Sequence, residues 1–194
     1  MNSLKLGVAI AAVLGMNSCA IAHEHGEADV LPNKVVPAGT APDVANPFHP
    51  IRLMLASDET AGELSLFEFE VPAQSAGSPP HTHTLEDEYF FILSGTLDVL
   101  VDGEVSQLSE GDFAALTRGH THMFWNGSDQ PVRLLMATTG ASFETFMSSV
   151  APRLAQAKPD GPQAAGAVVG ALAAEHGITI TMEDMPEEAA PYYQ

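Results

Sequence analysis

Between residues 51 and 137 the chain is cut into short alternating or apolar stretches, each closed by Gly, Pro, Asn or Asp, and this spacing limits the fold more than any other feature. Ile51–Leu55, Leu64–Val71, residues 88–93, Thr96–Val101, Phe113–Leu116, His122–Asn126 and residues 132–137 read as strands, Leu64–Val71 with a period of two. Ser94-Gly95 makes a tight turn, and Asp102-Gly103 is a strong hairpin signal that returns through Val105 and Leu108. Strands this short, so regularly interrupted, predict an all-β antiparallel sandwich or barrel over residues 51–140.

After Gly140 the period changes to that of a helix. Phe143, Phe146, Met147, Val150 and Leu154 recur at three- and four-residue steps, and Pro152 is expected to kink or end that helix. A break at residues 158–162 precedes an Ala-rich helical run over 164–176, stopped at Gly177. The expectation is a helical extension over 141–182 packed outside the barrel, then a loose acidic tail over 183–194.

The N-terminus reads as an address. Lys5 is the only charge in residues 1–22, the apolar stretch from Leu6 to Met16 is too short to span a bilayer, and Ala20-Ile21-Ala22 fits a signal-peptidase site. Export to the periplasm or beyond, with the mature chain starting at His23, is the expectation. Cleavage before Cys19 with lipid attachment is the alternative, although Met16-Asn17-Ser18 fits a lipobox poorly. Cleavage after Ala22 removes the only cysteine, and with it disulfides, thiol catalysis and cysteine-based metal sites. Residues 23–50 form an aperiodic arm. A freed amine followed by His23-Glu24-His25 is a copper- and nickel-capturing arrangement, or simply part of a flexible arm.

With 7 basic against 25 acidic residues, the chain carries a formal charge of −18. It repels phosphate backbones and anionic lipid heads, so nucleic acid and a basic membrane-surface role are excluded as partners. Past the N-terminal address no other segment is apolar enough to cross a membrane.

Four of the eight histidines sit in two tight clusters, His81-Thr82-His83 and His120-Thr121-His122. Residues two apart in extended chain face the same side, so His81 and His83 point together. Glu88 is out of phase with them unless Thr84–Asp87 forms a turn or bulge, and a returning strand would bring His122 opposite. Three imidazoles and one carboxylate suit a divalent first-row metal such as Fe, Mn, Ni, Co, Cu or Zn, and exclude calcium.

These residues carry a family resemblance. Gly77-Ser78-Pro79-Pro80-His81-Thr82-His83-Thr84-Leu85-Glu86-Asp87-Glu88, followed six residues later by Gly95, resembles the first motif of the cupin superfamily. Gly111-Asp112 and then Thr117-Arg118-Gly119-His120-Thr121-His122-Met123-Phe124-Trp125-Asn126 resemble the second, with Thr117 where the family usually has proline. The resemblance implies an antiparallel cupin (jelly-roll) barrel with two C-terminal helices, and a metal held by His81, His83, Glu88 and His122. It favours Glu88 over Glu86 because only Glu88 leaves six residues before Gly95. His120 then falls in a turn, exposed or handling protons beside the metal. Phe90, Ile92 and Phe124, in phase with the ligands, either line a pocket or belong to the core.

The run Ala174-Glu175-His176-Gly177-Ile178 is similar to the tail of bacterial single-domain cupins related to quercetin dioxygenases. The activity this implies is a metal-dependent dioxygenase that brings dioxygen to a small enolisable aromatic or dicarbonyl substrate, with Glu88 as catalytic base. A non-enzymatic metal or small-ligand binder and a cupin isomerase or lyase are the other readings. Two copies pairing as a homodimer is compatible with all three.

Overall fold

A computed structural model describes residues 30–193, so the expected signal peptide, Cys19 and His23-Glu24-His25 lie outside the described residues. These residues form ten strands and two α-helices. The strands are β1 (Ile51–Leu55), β2 (Leu64–Val71), β3 (Ser75–His83), β4 (Glu88–Ser94), β5 (Thr96–Val101), β6 (Glu104–Ser109), β7 (Phe113–Leu116), β8 (His122–Asn126), β9 (Val132–Thr139) and β10 (Ile178–Ile180). Helices α1 (Ser142–Ala157) and α2 (Pro162–Glu175) stand between β9 and β10. Among the described residues no helix is long and apolar enough to cross a membrane.

All pairings are antiparallel, in two five-stranded sheets of order β1-β2-β9-β4-β7 and β10-β3-β8-β5-β6. The expected all-β jelly roll is therefore present, as two sheets rather than one closed ladder. Alternation sets its core. On the first sheet Phe67, Met136 and Phe90 lie side by side across β2, β9 and β4, all essentially unexposed. One step of two along the same face, Ser65, Thr138 and Glu88 form the next row. Each fully buried large side chain of such a row stabilises the fold by about 1.5–3 kcal/mol, so the row fixes the register that carries Glu88 inward.

Two glycines are required by close approach. Gly95 turns β4 into β5 at φ +86°, and a Cβ there would lie 2.9 Å from the Pro131 carbonyl oxygen. Gly77 lets the bulged β3 cross Phe124, whose ring a Cβ would meet at 2.2 Å. The Asp102-Gly103 hairpin has positive φ at both central residues (49° and 86°), which is why that dipeptide sits there.

Four features depart from the sequence expectation. Residues 75–83, not among the strands read from the sequence, form β3 despite Pro79-Pro80, because the prolines fall in an irregular stretch of the β3–β8 ladder, between Ser78 and His81. Residues 178–180, counted in the helical extension, form β10 and pair with residues 81–83. Pro152 does not end α1, which continues to Ala157 before Lys158 turns left-handed at φ 47°. The tail is not loose: Ala189 is fully buried against β5 and β8, and the Tyr193 hydroxyl donates to the Ser78 carbonyl at 2.5 Å while accepting from the Gly77 amide at 3.2 Å. Its two tyrosines and Met185 cover the outward face of β8, which the alternation of that strand made apolar at Met123 and Trp125.

Candidate metal centre

His81 and His83 come from β3, Glu88 opens β4 and His122 opens β8. The register His81↔His122 sets two imidazoles beside each other within one sheet, and Glu88 faces them from the other. All four are buried, and one ligand atom from each lies within 4.8 Å of every other. Ligands opposite each other on a first-row ion are about 4.2 Å apart, twice a bond of about 2.1 Å, so small side-chain adjustments bring the four onto one ion.

The ring orientations are fixed from behind. The Nδ1 of His81 lies 2.8 Å from the Pro79 carbonyl, that of His122 3.1 Å from the His120 carbonyl, and that of His83 2.9 Å from Glu86 Oε1. Each of these partners only accepts, so each Nδ1 bears a hydrogen and each Nε2 is turned toward the centre, where it offers a lone pair when the ring is neutral. His81 Nε2 and His83 Nε2 then face each other at 2.9 Å, and His122 Nε2 faces Glu88 Oε2 at 3.0 Å. Acceptor facing acceptor at such distances repels unless a cation or a shared proton lies between. Glu88 Oε1, buried, has no hydrogen-bond partner. The donor set of three imidazole nitrogens and one carboxylate fits a divalent first-row ion.

The electrostatics agree. Burial, with His122 beside it, pushes His81 down to about 3, so it is neutral. Burial opposes protonation of His83 too, but Glu88 and Glu86 outweigh it and hold His83 above its ordinary value. Burial would raise Glu88, yet His83 and His122 pull it down to about 2, so the carboxylate stays ionised.

The surroundings correct the sequence reading in places. Glu86 is not idle: it is fully buried and steadies His83, its other oxygen having no partner. The signal for it was the three-residue spacing across the turn that returns β3 to β4. Phe143, in the first turn of α1, packs its ring 5.7 Å from that of His83, which no local motif announces. Phe90, Ile92 and Phe124 are buried core side chains, Phe90 edge-on to Phe124 at 5.4 Å. His120 is exposed, its Nδ1 2.6 Å from Asp102. The two mark the edge of a cavity of about 240 Å³ lined also by Val101, Leu116, Thr117 and His122, the one ligand it reaches.

Comparison with known proteins bears on this site. Residues 67–138 match the family described as the cupin domain. A germin-like protein of Arabidopsis thaliana, subfamily 2 member 1, is 38% identical over 65 residues, which cover 31% of this chain and 30% of that one. An uncharacterized protein of Aquifex aeolicus is 36% identical over 55 residues, 28% of this chain and 46% of its own. The matched stretch thus spans less than half the length of either curated relative. Among solved structures, the polyketide cyclase RemF of Streptomyces resistomycificus superposes with a TM-score of 0.47 at 24% identity, over 56% of this chain and 80% of that one. KdgF of Halomonas sp. gives 0.43 at 17%, over 49% and 81%. All four candidate ligands fall inside the matched residues 67–138, on the strands of a two-sheet jelly roll, and that stretch is a cupin domain.

Proposed function

We propose that this cupin is an exported metal-dependent dioxygenase acting on a small enolisable aromatic or dicarbonyl compound. The observation that carries the reading is the set of three oriented Nε2 atoms and one half-unpartnered carboxylate around a common point, with a small cavity reaching His122. His81, His83, Glu88 and His122 would hold a divalent ion, which would supply Lewis-acid and redox chemistry there. The chain's own residues do the rest. Val101 and Leu116 give the approach an apolar side, Thr117 a hydroxyl, and the His120–Asp102 pair stands at its edge. The cavity accepts a small molecule and excludes a polymer. Glu88 takes the enol proton on the oxygen that no hydrogen bond occupies. Its imidazole neighbours keep it a weak base, so it suits a substrate whose proton is already acidified.

Steady-state oxygen uptake tests this with a flavonol, a catechol and a β-diketone, on protein loaded in turn with iron, manganese, nickel, cobalt, copper and zinc. Uptake with any of them supports the oxygenase. Turnover without oxygen favours an isomerase or lyase. Metal retained with no turnover favours a non-enzymatic binder, a reading supported by the near-complete burial of the four ligands.

Export belongs to the same proposal, from the apolar stretch and Ala20-Ile21-Ala22. The intact mass of the mature protein tests it: a chain beginning at His23 is expected, and a diacylglyceryl-modified Cys19 would make it a lipoprotein.

A further inference from the structure

A second cavity, of about 630 Å³, lies on the outward face of the β5–β6–β8 side, away from the metal centre. Strand alternation puts it there. On β8 His122 belongs to the metal centre and Phe124 to the inner core, so Met123 and Trp125 face out, and Asp98 pairs with Trp125 across the ladder. The docked C-terminal segment lines one side of this open cavity with Glu188 and Tyr192. Gly127 keeps its floor open: a Cβ there would lie 2.8 Å from Asp98 Oδ2, 3.3 Å from the Tyr192 hydroxyl and 3.6 Å from the Trp125 indole nitrogen.

The charge in this cavity is one-sided. Asp98 is only 9% exposed, and its two oxygens accept from the Gln107 amide at 2.8 Å and the Gly127 backbone N–H at 3.1 Å. Glu188 adds a second carboxylate, and among the described residues none that line the cavity is basic. A carboxylate this buried is ordinarily answered by a cation. Here both of its hydrogen-bond donors are neutral, and each of its oxygens keeps acceptor capacity. The volume lies within the range of small-molecule sites. Tyr192, half-buried, offers aromatic surface of the kind that favours a cation with a hydrocarbon body, with the buried Trp125 in the wall beside it.

We propose that this cavity binds a small organic ammonium compound, its charged nitrogen set against Asp98 and Glu188 and its carbon body against Trp125 and Tyr192. The site is independent of the metal centre. Because Glu188 and Tyr192 belong to the C-terminal segment, the bound amine also ties that segment to the sheet.

Titration calorimetry on the full metal-loaded chain tests it, with choline and putrescine as probes and glucose as a neutral control of similar size. One of the amines binds and glucose does not. The affinity falls as salt is raised, and by at least about tenfold in Asp98→Asn. Asp98 is bonded to the backbone, so Glu188→Lys, at an exposed position, is the second variant: its own ammonium competes for the site and abolishes binding. Failure of both amines to bind, equal binding of glucose, or amine binding untouched in Asp98→Asn or in Glu188→Lys overturns the proposal.

Discussion

His81 and His83 face each other through their Nε2 atoms at 2.9 Å, while the opposite nitrogen of each ring is already committed, one to the Pro79 carbonyl and the other to Glu86. The two rings repel when both are neutral, and a proton on His83 relieves that repulsion until an ion takes its place. Only a positive charge at the centre turns the arrangement from a cost into a binding site, and the predictions for metal uptake follow from that geometry.

The first concerns the residue behind the ligand. His83→Ala removes a donor and should abolish tight metal binding. Glu86→Ala leaves all four donors but frees the His83 ring, and should weaken binding by about 10–100-fold, the usual effect of losing such a support. Chelator competition measures both. Unchanged affinity in Glu86→Ala would remove the role assigned to that carboxylate.

The second separates holding the metal from moving a proton. Glu88→Gln keeps an oxygen donor but no basic carboxylate. It should retain much of its metal while losing about 10²–10⁴ in turnover. Oxygen uptake at matched metal content reads this directly, and equal loss of metal and activity would leave Glu88 as a ligand only.

The third is pH dependence. His83 holds its proton above the ordinary imidazole value, so an arriving ion must expel it. Metal affinity should therefore rise with pH until that proton is lost on its own. Calorimetry in buffers of different ionisation enthalpy should count the proton released, and a pH-independent affinity would contradict the assignment.

For the metal-free fold the sign is set by His81. Its value is lowered to about 3, so between about 6.5 and 3 the unfolded chain binds a proton that the folded chain refuses. Stability from this group is whole above that window and declines as pH falls through it. Thermal melts of the metal-free protein should show the decline, and His81→Phe, which has no proton to bind, should flatten it.

The last concerns the tail. Tyr193→Phe removes a hydroxyl that makes two bonds at a time, accepting from the Gly77 amide and donating its one hydrogen to the Ser78 carbonyl, with the Phe124 carbonyl as the alternative acceptor. At about 0.5–1.5 kcal/mol for each bond, the loss should reach about 1–3 kcal/mol. Limited proteolysis should then cut within residues 183–193 first.

Much of this was readable from the chain. Alternation and turn residues marked eight of the ten strands, since Leu64–Val71 or Asp102-Gly103 specify their conformation locally. The strand of residues 75–83 was hidden by Pro79-Pro80, whose usual meaning yields here to a bulged ladder, and β10 was too short to show a period. Of the centre, His81, His83, Glu88 and His122 stood out by spacing and resemblance. Phe143 against His83 did not, because the contact joins a helix and a strand far apart in sequence. Glu86 was visible as a residue, but its direction depended on a turn whose shape no period encodes.

The pairing of Ile178–Ile180 with residues 81–83 gives the centre a place in time as well as in space. The strand that flanks the first histidine pair is among the last pieces of the described chain to be synthesised. While a ribosome or a translocation pore still holds that end, the two histidines stand on an unfinished edge. A chain that stopped before residue 178 would leave the backbone of residues 81–83 unpaired along that side.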